Sequence, residues 1–233
     1  MAEQVDRKRE GAQKNRFLVR IARLLVSPHR AWQEIAQSQG KSDAFARLYV
    51  PALLLGTVGA TAGVFRYGVY LPVPDPVTGE FVARHIYVAP GEFLLQQLFL
   101  VAVYLLLPFL LAKPLGFFAR NFRGMSREQE SLVTPTRQII QCGLAPAFFS
   151  MMFQVAPILS IITFLVFLQS FYIVFSGITP MLALSGRQKI SFFVLSFVAL
   201  FFYVIAAQWV RGTIFGYDLF LEALETASMP IAE

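Results

Sequence analysis

Residues 138–186 read QIIQCGLAPAFFSMMFQVAPILSIITFLVFLQSFYIVFSGITPMLALSG, about 49 positions without one Asp, Glu, Lys or Arg. A helix needs about 20 apolar residues to cross a bilayer core. The stretch is therefore too long for one span and long enough for two. The break falls at Gln154-Val-Ala-Pro157. Pro157 has no amide hydrogen and suits the first turn of a new helix, and the residue before a proline is turned away from the helical region. This predicts two spans over 137–153 and 157–184, joined by a tight turn.

Outward from that stretch lie three further charge-free windows. Leu48–Phe65 covers about 18 residues, Phe93–Ala112 about 20 and Ile190–Val210 about 21. They predict spans over 48–68, 92–112 and 190–210, five spans in all. Pro108, Pro146 and Pro180 lie in or near spans and read as kinks, because neighbouring groups can serve the carbonyls they free. The composition agrees. Of 233 residues 56% are hydrophobic, 24 are Phe and only 15% are charged, against about a quarter in ordinary soluble domains. Mean hydropathy is +0.59. The reading is an all-α integral membrane protein, a five-span helical bundle with amphipathic N- and C-terminal flanks. Disordered chains, coiled coils and disulfide-built secreted modules are excluded. The single cysteine, Cys142, cannot form an internal bridge.

The net charge of +6 and pI near 9.7 raise the question of nucleic acid. The basic residues cluster beside apolar runs, which is the pattern of topology signals and of contacts to anionic headgroups. No nucleic-acid partner is expected. Ten Lys and Arg precede the first span, two lie in the first loop, five in the second, none in the third, two in the fourth and one after the last span. Alternate sides thus carry seventeen and three. The positive-inside rule places the N-terminus in the cytoplasm and the C-terminus outside a bacterial inner membrane. No signal-peptide pattern precedes the first long apolar run.

Three segments flank or interrupt this 48–210 membrane domain. In the basic cytoplasmic segment 1–47, Phe17, Leu18, Ile21, Leu24 and Leu25 recur at helical spacing, with Arg16, Arg20 and Arg23 on the other face. Such a helix suits the cytoplasmic interface. Ser27-Pro28 starts a second helix carrying Trp32 and Ile35. In the tail 211–233, Phe215, Leu219, Phe220, Ala223 and Leu224 oppose Asp218, Glu222 and Glu225. Both flanks read as interfacial anchors or docking helices. The first loop, Val69–Val88, has two partly alternating arms around Thr78-Gly79 and predicts a small external β-hairpin.

Chemistry is sparse. The five span cores carry no charged residue, so no proton or ion relay is evident. His29 and His85 fall on opposite sides of the membrane in this topology, so they cannot share a metal. Cys142 and Ser176 have no intramembrane His or Lys to act as base. Neither enzyme activity nor any cofactor is expected. Gln138, Gln141, Ser150 and Gln154 on the third span, and Gln169, Ser170, Tyr172, Ser176 and Thr179 on the fourth, read as interhelical hydrogen-bonding groups or a polar cleft. Gly59-Ala-Thr-Ala-Gly63 is a G-x-x-x-G pattern that permits close helix approach, within the chain or between copies.

A family resemblance rests on Leu24-Leu-Val-Ser-Pro-His-Arg-Ala-Trp-Gln-Glu-Ile35 before the first span and on Gly143-Leu-Ala-Pro146 and the break at Pro157. Gln169-x-x-Tyr172, Ser176-Gly-Ile-Thr-Pro180 and Arg187-Gln-Lys189 complete it. Together these resemble the bacterial branch of the Yip domain family (Ypt/Rab-interacting proteins) over roughly 24–210. The resemblance implies five spans, a cytoplasmic N-terminus and a membrane adaptor. The Asp-Leu-Tyr-Gly-Pro motif of eukaryotic relatives is absent, and Gly143-Leu144 stands where a Gly-Tyr pair is common, so Rab binding is not implied. The expected function is a non-enzymatic adaptor or accessory subunit that binds membrane lipids, anionic on the cytoplasmic side, or another membrane protein. The alternative is a small transporter or lipid-handling channel. Candidate contacts are Arg16, Arg20, Arg23, Trp32, Gly59, Gly63, Gln169 and Tyr172.

Overall fold

The computed structural model describes residues 17–37, 44–74, 81–86, 90–124 and 132–215. Helix α1 covers 17–26 and α2 Pro28–Gln37. A π-helical turn, Phe45–Tyr49, leads into α3, Val50–Tyr67. Then come α4, Pro90–Phe122, α5, Val133–Ser150, α6, Ser160–Leu182, and α7, Gly186–Phe215. Five helical stretches are long and apolar enough to cross a membrane: Phe45–Tyr67, Pro90–Phe122, Val133–Val155, Ser160–Leu182 and Gly186–Phe215. The chain is a multi-pass helical membrane protein. Its exterior carries exposed Leu54, Val58, Leu98, Phe164, Phe201 and Phe202, a surface suited to hydrocarbon and costly in water.

The long uncharged stretch breaks at Pro157, as its sequence requires. Helix α5 tightens into a 3-10 turn over Met151–Val155, and Ala156 is extended at φ −132° and ψ 128°. A second 3-10 turn, Pro157–Leu159, leads to Ser160. The Thr163 hydroxyl donates to the Ser150 carbonyl at 2.8 Å, covering an acceptor at the end of α5.

Helix α4 runs ten residues past the expected end at 112, to Phe122. Lys113 does not stop it, because the apolar face continues through buried Leu115 and Ala119, and Gly116 lets the Val133 backbone come close. Helix α7 likewise extends beyond 190–210 at both ends and takes in Arg187, Lys189 and Arg211. Long basic side chains at span ends can carry their charge to water while the helix continues.

Helix α5 is the most enclosed span and packs against α3, α4 and α6; α7 leans on α4 and is the most exposed. Pro108 lies inside α4 and removes the amide that the Tyr104 carbonyl would accept from. The Tyr49 hydroxyl donates to that carbonyl at 2.7 Å, and the Tyr203 hydroxyl donates to its neighbour, the Val103 carbonyl, at 2.6 Å. Two other helices therefore serve the backbone at the proline. At the end of α6, Ala183 takes a left-handed conformation, φ 53° and ψ 30°, and its amide donates to the Thr179 carbonyl at 2.9 Å.

Between α3 and α4 the backbone of β1, Val69–Pro74, runs antiparallel to β2, Phe81–Ile86, pairing Val69 with Ile86 and Pro74 with Phe81. The tail helix expected beyond Phe215 lies outside the described residues.

Candidate functional site

The first two helices are part of the bundle. Trp32 is fully buried, and its indole N–H donates to the Ile173 carbonyl of α6 at 2.8 Å. The ring lies over Gly177, where a Cβ would come within 2.5 Å of Trp32 Cε2. One turn of α6 away, the Gln169 amide donates to the Leu25 carbonyl at 3.2 Å. Leu25 sits in the last turn of α1, where carbonyls have no intrahelical partner, so Gln169 caps that helix. Phe17 packs edge-on against Phe149, with ring centroids 5.7 Å apart. Ile21 and Leu24 are buried.

This corrects two expectations. The apolar stripe of α1 is only partly open: Leu18 is 44% exposed, while Ile21 and Leu24 are buried, Phe17 packs on Phe149 of α5 and the Leu25 carbonyl is bonded by Gln169 of α6. Trp32 is not a free contact either, since it is enclosed by its own chain. Gly59 and Gly63 are also used internally. They face the backbone at Met152 and Gln154, and Gly56 faces Phe148, so α3 lies directly on the second half of the third span. A second copy cannot use those glycines while this packing holds. Tyr172, one turn from Gln169 on α6, is 55% exposed. Arg16 lies outside the described residues.

Arg20 and Arg23 are brought together. They line an open cavity of about 300 Å³ with Leu24, Ala31, Glu34, Ile35, Ala44, Leu48 and Cys142. The walls come from α1, α2 and the start of the first span, and Cys142 of α5 contributes to the interior. Arg23 pairs with Glu34 at 3.0 Å. Arg20 has no ion-pair partner among the described residues. Sequence reading put both arginines on one face of α1. Missing from it were Glu34, Ala44 and Cys142, which come from three other elements and carry no common motif.

Other polar groups in the spans serve the backbone. Ser150, Ser170 and Ser176 donate to carbonyls of their own helices, and the Gln188 amide donates to the Phe122 carbonyl at the end of α4 at 2.6 Å. Among the described residues, three buried side-chain polar atoms have no partner: Thr136 Oγ1, Gln138 Oε1 and Gln141 Nε2, all on α5. Thr136 lines a small apolar crevice of about 40 Å³ among α4, α5, α6 and α7. Among the described residues, no three His, Cys, Asp or Glu side chains gather as a metal would need. No protein-family model, no curated protein and no solved structure matches the chain.

Proposed function

We propose that this chain is a non-enzymatic inner-membrane protein of the Yip type, an adaptor or accessory subunit that works by binding lipid or a membrane partner. The observation that carries the reading is the use of polar side chains within the spans. Tyr49, Thr163, Gln169, Gln188 and Tyr203 all donate to backbone carbonyls of another helix, most of them at a helix end or beside a proline. In hydrocarbon such carbonyls have no water to turn to, so these side chains serve assembly. The exposed surface left over is apolar, with a basic face on α1 at Arg20 and Arg23.

In this reading the N-terminus and the α4–α5 connection are cytoplasmic, where anionic lipid meets the arginines. The β1–β2 segment and the C-terminus lie outside. Seventeen Lys and Arg against three support that orientation. The cavity beside Cys142 favours lipid handling as the second reading, because it is roomy enough for a small polar group. The test is mild solubilisation of native membranes followed by native mass spectrometry. A discrete stoichiometric complex, or defined retained lipid, is the expected result. A solitary, lipid-free monomer that moves a solute in reconstituted vesicles contradicts the adaptor reading and favours transport.

A further inference from the structure

We propose that the cavity walled by α1, α2, the turn that opens the first span and α5 is a binding site for the phosphodiester headgroup of an anionic phospholipid. The proposal rests on the reading that the chain meets lipid through its N-terminal helices, and it names the site and the ligand class.

Charge points to the ligand first. Two guanidinium groups, Arg20 and Arg23, and one carboxylate, Glu34, line the cavity. The Arg23–Glu34 pair, at 3.0 Å, cancels one positive charge. Among the described residues Arg20 then leaves a single net positive charge, which matches the single negative charge of a phosphodiester. Guanidinium also presents a planar fork of donors that fits phosphate oxygens. Size agrees. The cavity holds about 300 Å³, near the small end of the roughly 300–1,000 Å³ usual for ligand sites. That suits a headgroup, with the rest of the lipid outside the open cavity. The remaining lining, including Leu24, Ala44 and Leu48, is apolar and can receive the start of the lipid's hydrocarbon. On α5, next to Cys142, Gln141 is 2% exposed and its amide nitrogen lacks a partner; Gln138, one turn back on Cys142's face, keeps an unpaired amide oxygen. These unpaired atoms belong to the α5 interior and are not part of the cavity's lining.

The test titrates the full-length protein, in neutral detergent, with short-chain phosphatidylglycerol, short-chain phosphatidylcholine or inorganic phosphate, and reads bound mass by native mass spectrometry. Phosphatidylglycerol is expected to bind in preference to phosphatidylcholine. Arg20→Gln is expected to weaken binding roughly tenfold or more, since it removes a charge-assisted hydrogen bond. Ala44→Leu fills the cavity and should do the same. Glu34→Gln frees Arg23 and should tighten binding, a gain that loss of folding cannot imitate. Arg30→Gln, on the exposed side of α2, should change nothing. Inorganic phosphate that binds alone and displaces the lipid, with the same pattern across variants, keeps the site and makes free phosphate its source. Binding that ignores Arg20 and Ala44, falls equally with Arg30→Gln, or weakens with Glu34→Gln overturns the site. A stoichiometric complex that still forms in these variants leaves the adaptor reading standing when the site has fallen.

Discussion

Tyr49 shows how one side chain can matter inside a bilayer. Its ring is fully buried, and its hydroxyl reaches the one α4 carbonyl that Pro108 deprives of its usual donor. Tyr49→Phe keeps the ring and removes only that donor. It is expected to cost about 1–3 kcal/mol, the penalty of leaving a buried acceptor unmade. Pro108→Ala returns an amide to the helix, so in that background the cost of Tyr49→Phe should shrink. A double-mutant cycle on unfolding in detergent measures the coupling. Additive effects would mean that the hydroxyl and the proline act independently. Ala183 offers a second test at this scale. A left-handed φ of 53° disfavours a residue with a Cβ. Ala183→Gly should therefore raise stability by up to about 1 kcal/mol, and a loss would show that the alanine methyl contributes packing that outweighs the strain.

Among the elements, α1 and α2 decide what kind of N-terminus this is. They are held at three points along α5 and α6: Phe17 on Phe149, Leu25 under Gln169, and Trp32 over Gly177. Gly177→Ala places a methyl where the indole lies, so Trp32 must shift and its bond to Ile173 must weaken. Hydrogen exchange of α1 and α2 should rise in this variant while that of α3 stays unchanged; equal rates would show that the indole adapts without loosening the helices. Trp32→Ala should cost about 3–5 kcal/mol as a large-to-small change in a packed interior.

Here the limits of sequence reading have a physical cause. Charge-free windows and Pro157 locate the spans because transfer into lipid penalises charge residue by residue. An amphipathic stripe such as Ile21, Leu24 and Leu25 carries no such address. The same pattern covers a bilayer surface or another helix, and only the positions of Gln169 and Gly177 in space decide between them. The glycines at 59 and 63 announce a close approach without naming Met152 and Gln154 as its partners. Lys113 and Arg120 hide the true length of α4, because counting uncharged residues measures hydrocarbon thickness and not helix length. The cavity was the least legible feature, assembled from four separate elements with no shared spacing.

At the scale of the whole molecule, five helices are long and apolar enough to span a membrane, and an odd number of crossings would put the two ends of 45–215 on opposite sides. The orientation is a prediction from charge. In a Cys142→Ser background, Gly79→Cys should react with an impermeant maleimide applied from outside, and Arg127→Cys only after permeabilisation. The reverse pattern would invert the molecule and move Arg20 and Arg23 away from the anionic leaflet.

The central claim is that the polar groups buried among the helices hold the chain together and do not conduct or transform a substrate. Gln169 is the residue on which the two accounts part, since it lies within α6 and is bonded to the end of α1. The direct measurement is paired: solute and lipid flux in reconstituted vesicles, and unfolding in detergent, for the wild type and for Gln169→Leu. The account predicts no specific flux for either protein and a loss of about 1–3 kcal/mol in stability for Gln169→Leu, from the carbonyl it uncovers. Specific flux in the wild type, abolished by Gln169→Leu with stability unchanged, would contradict it.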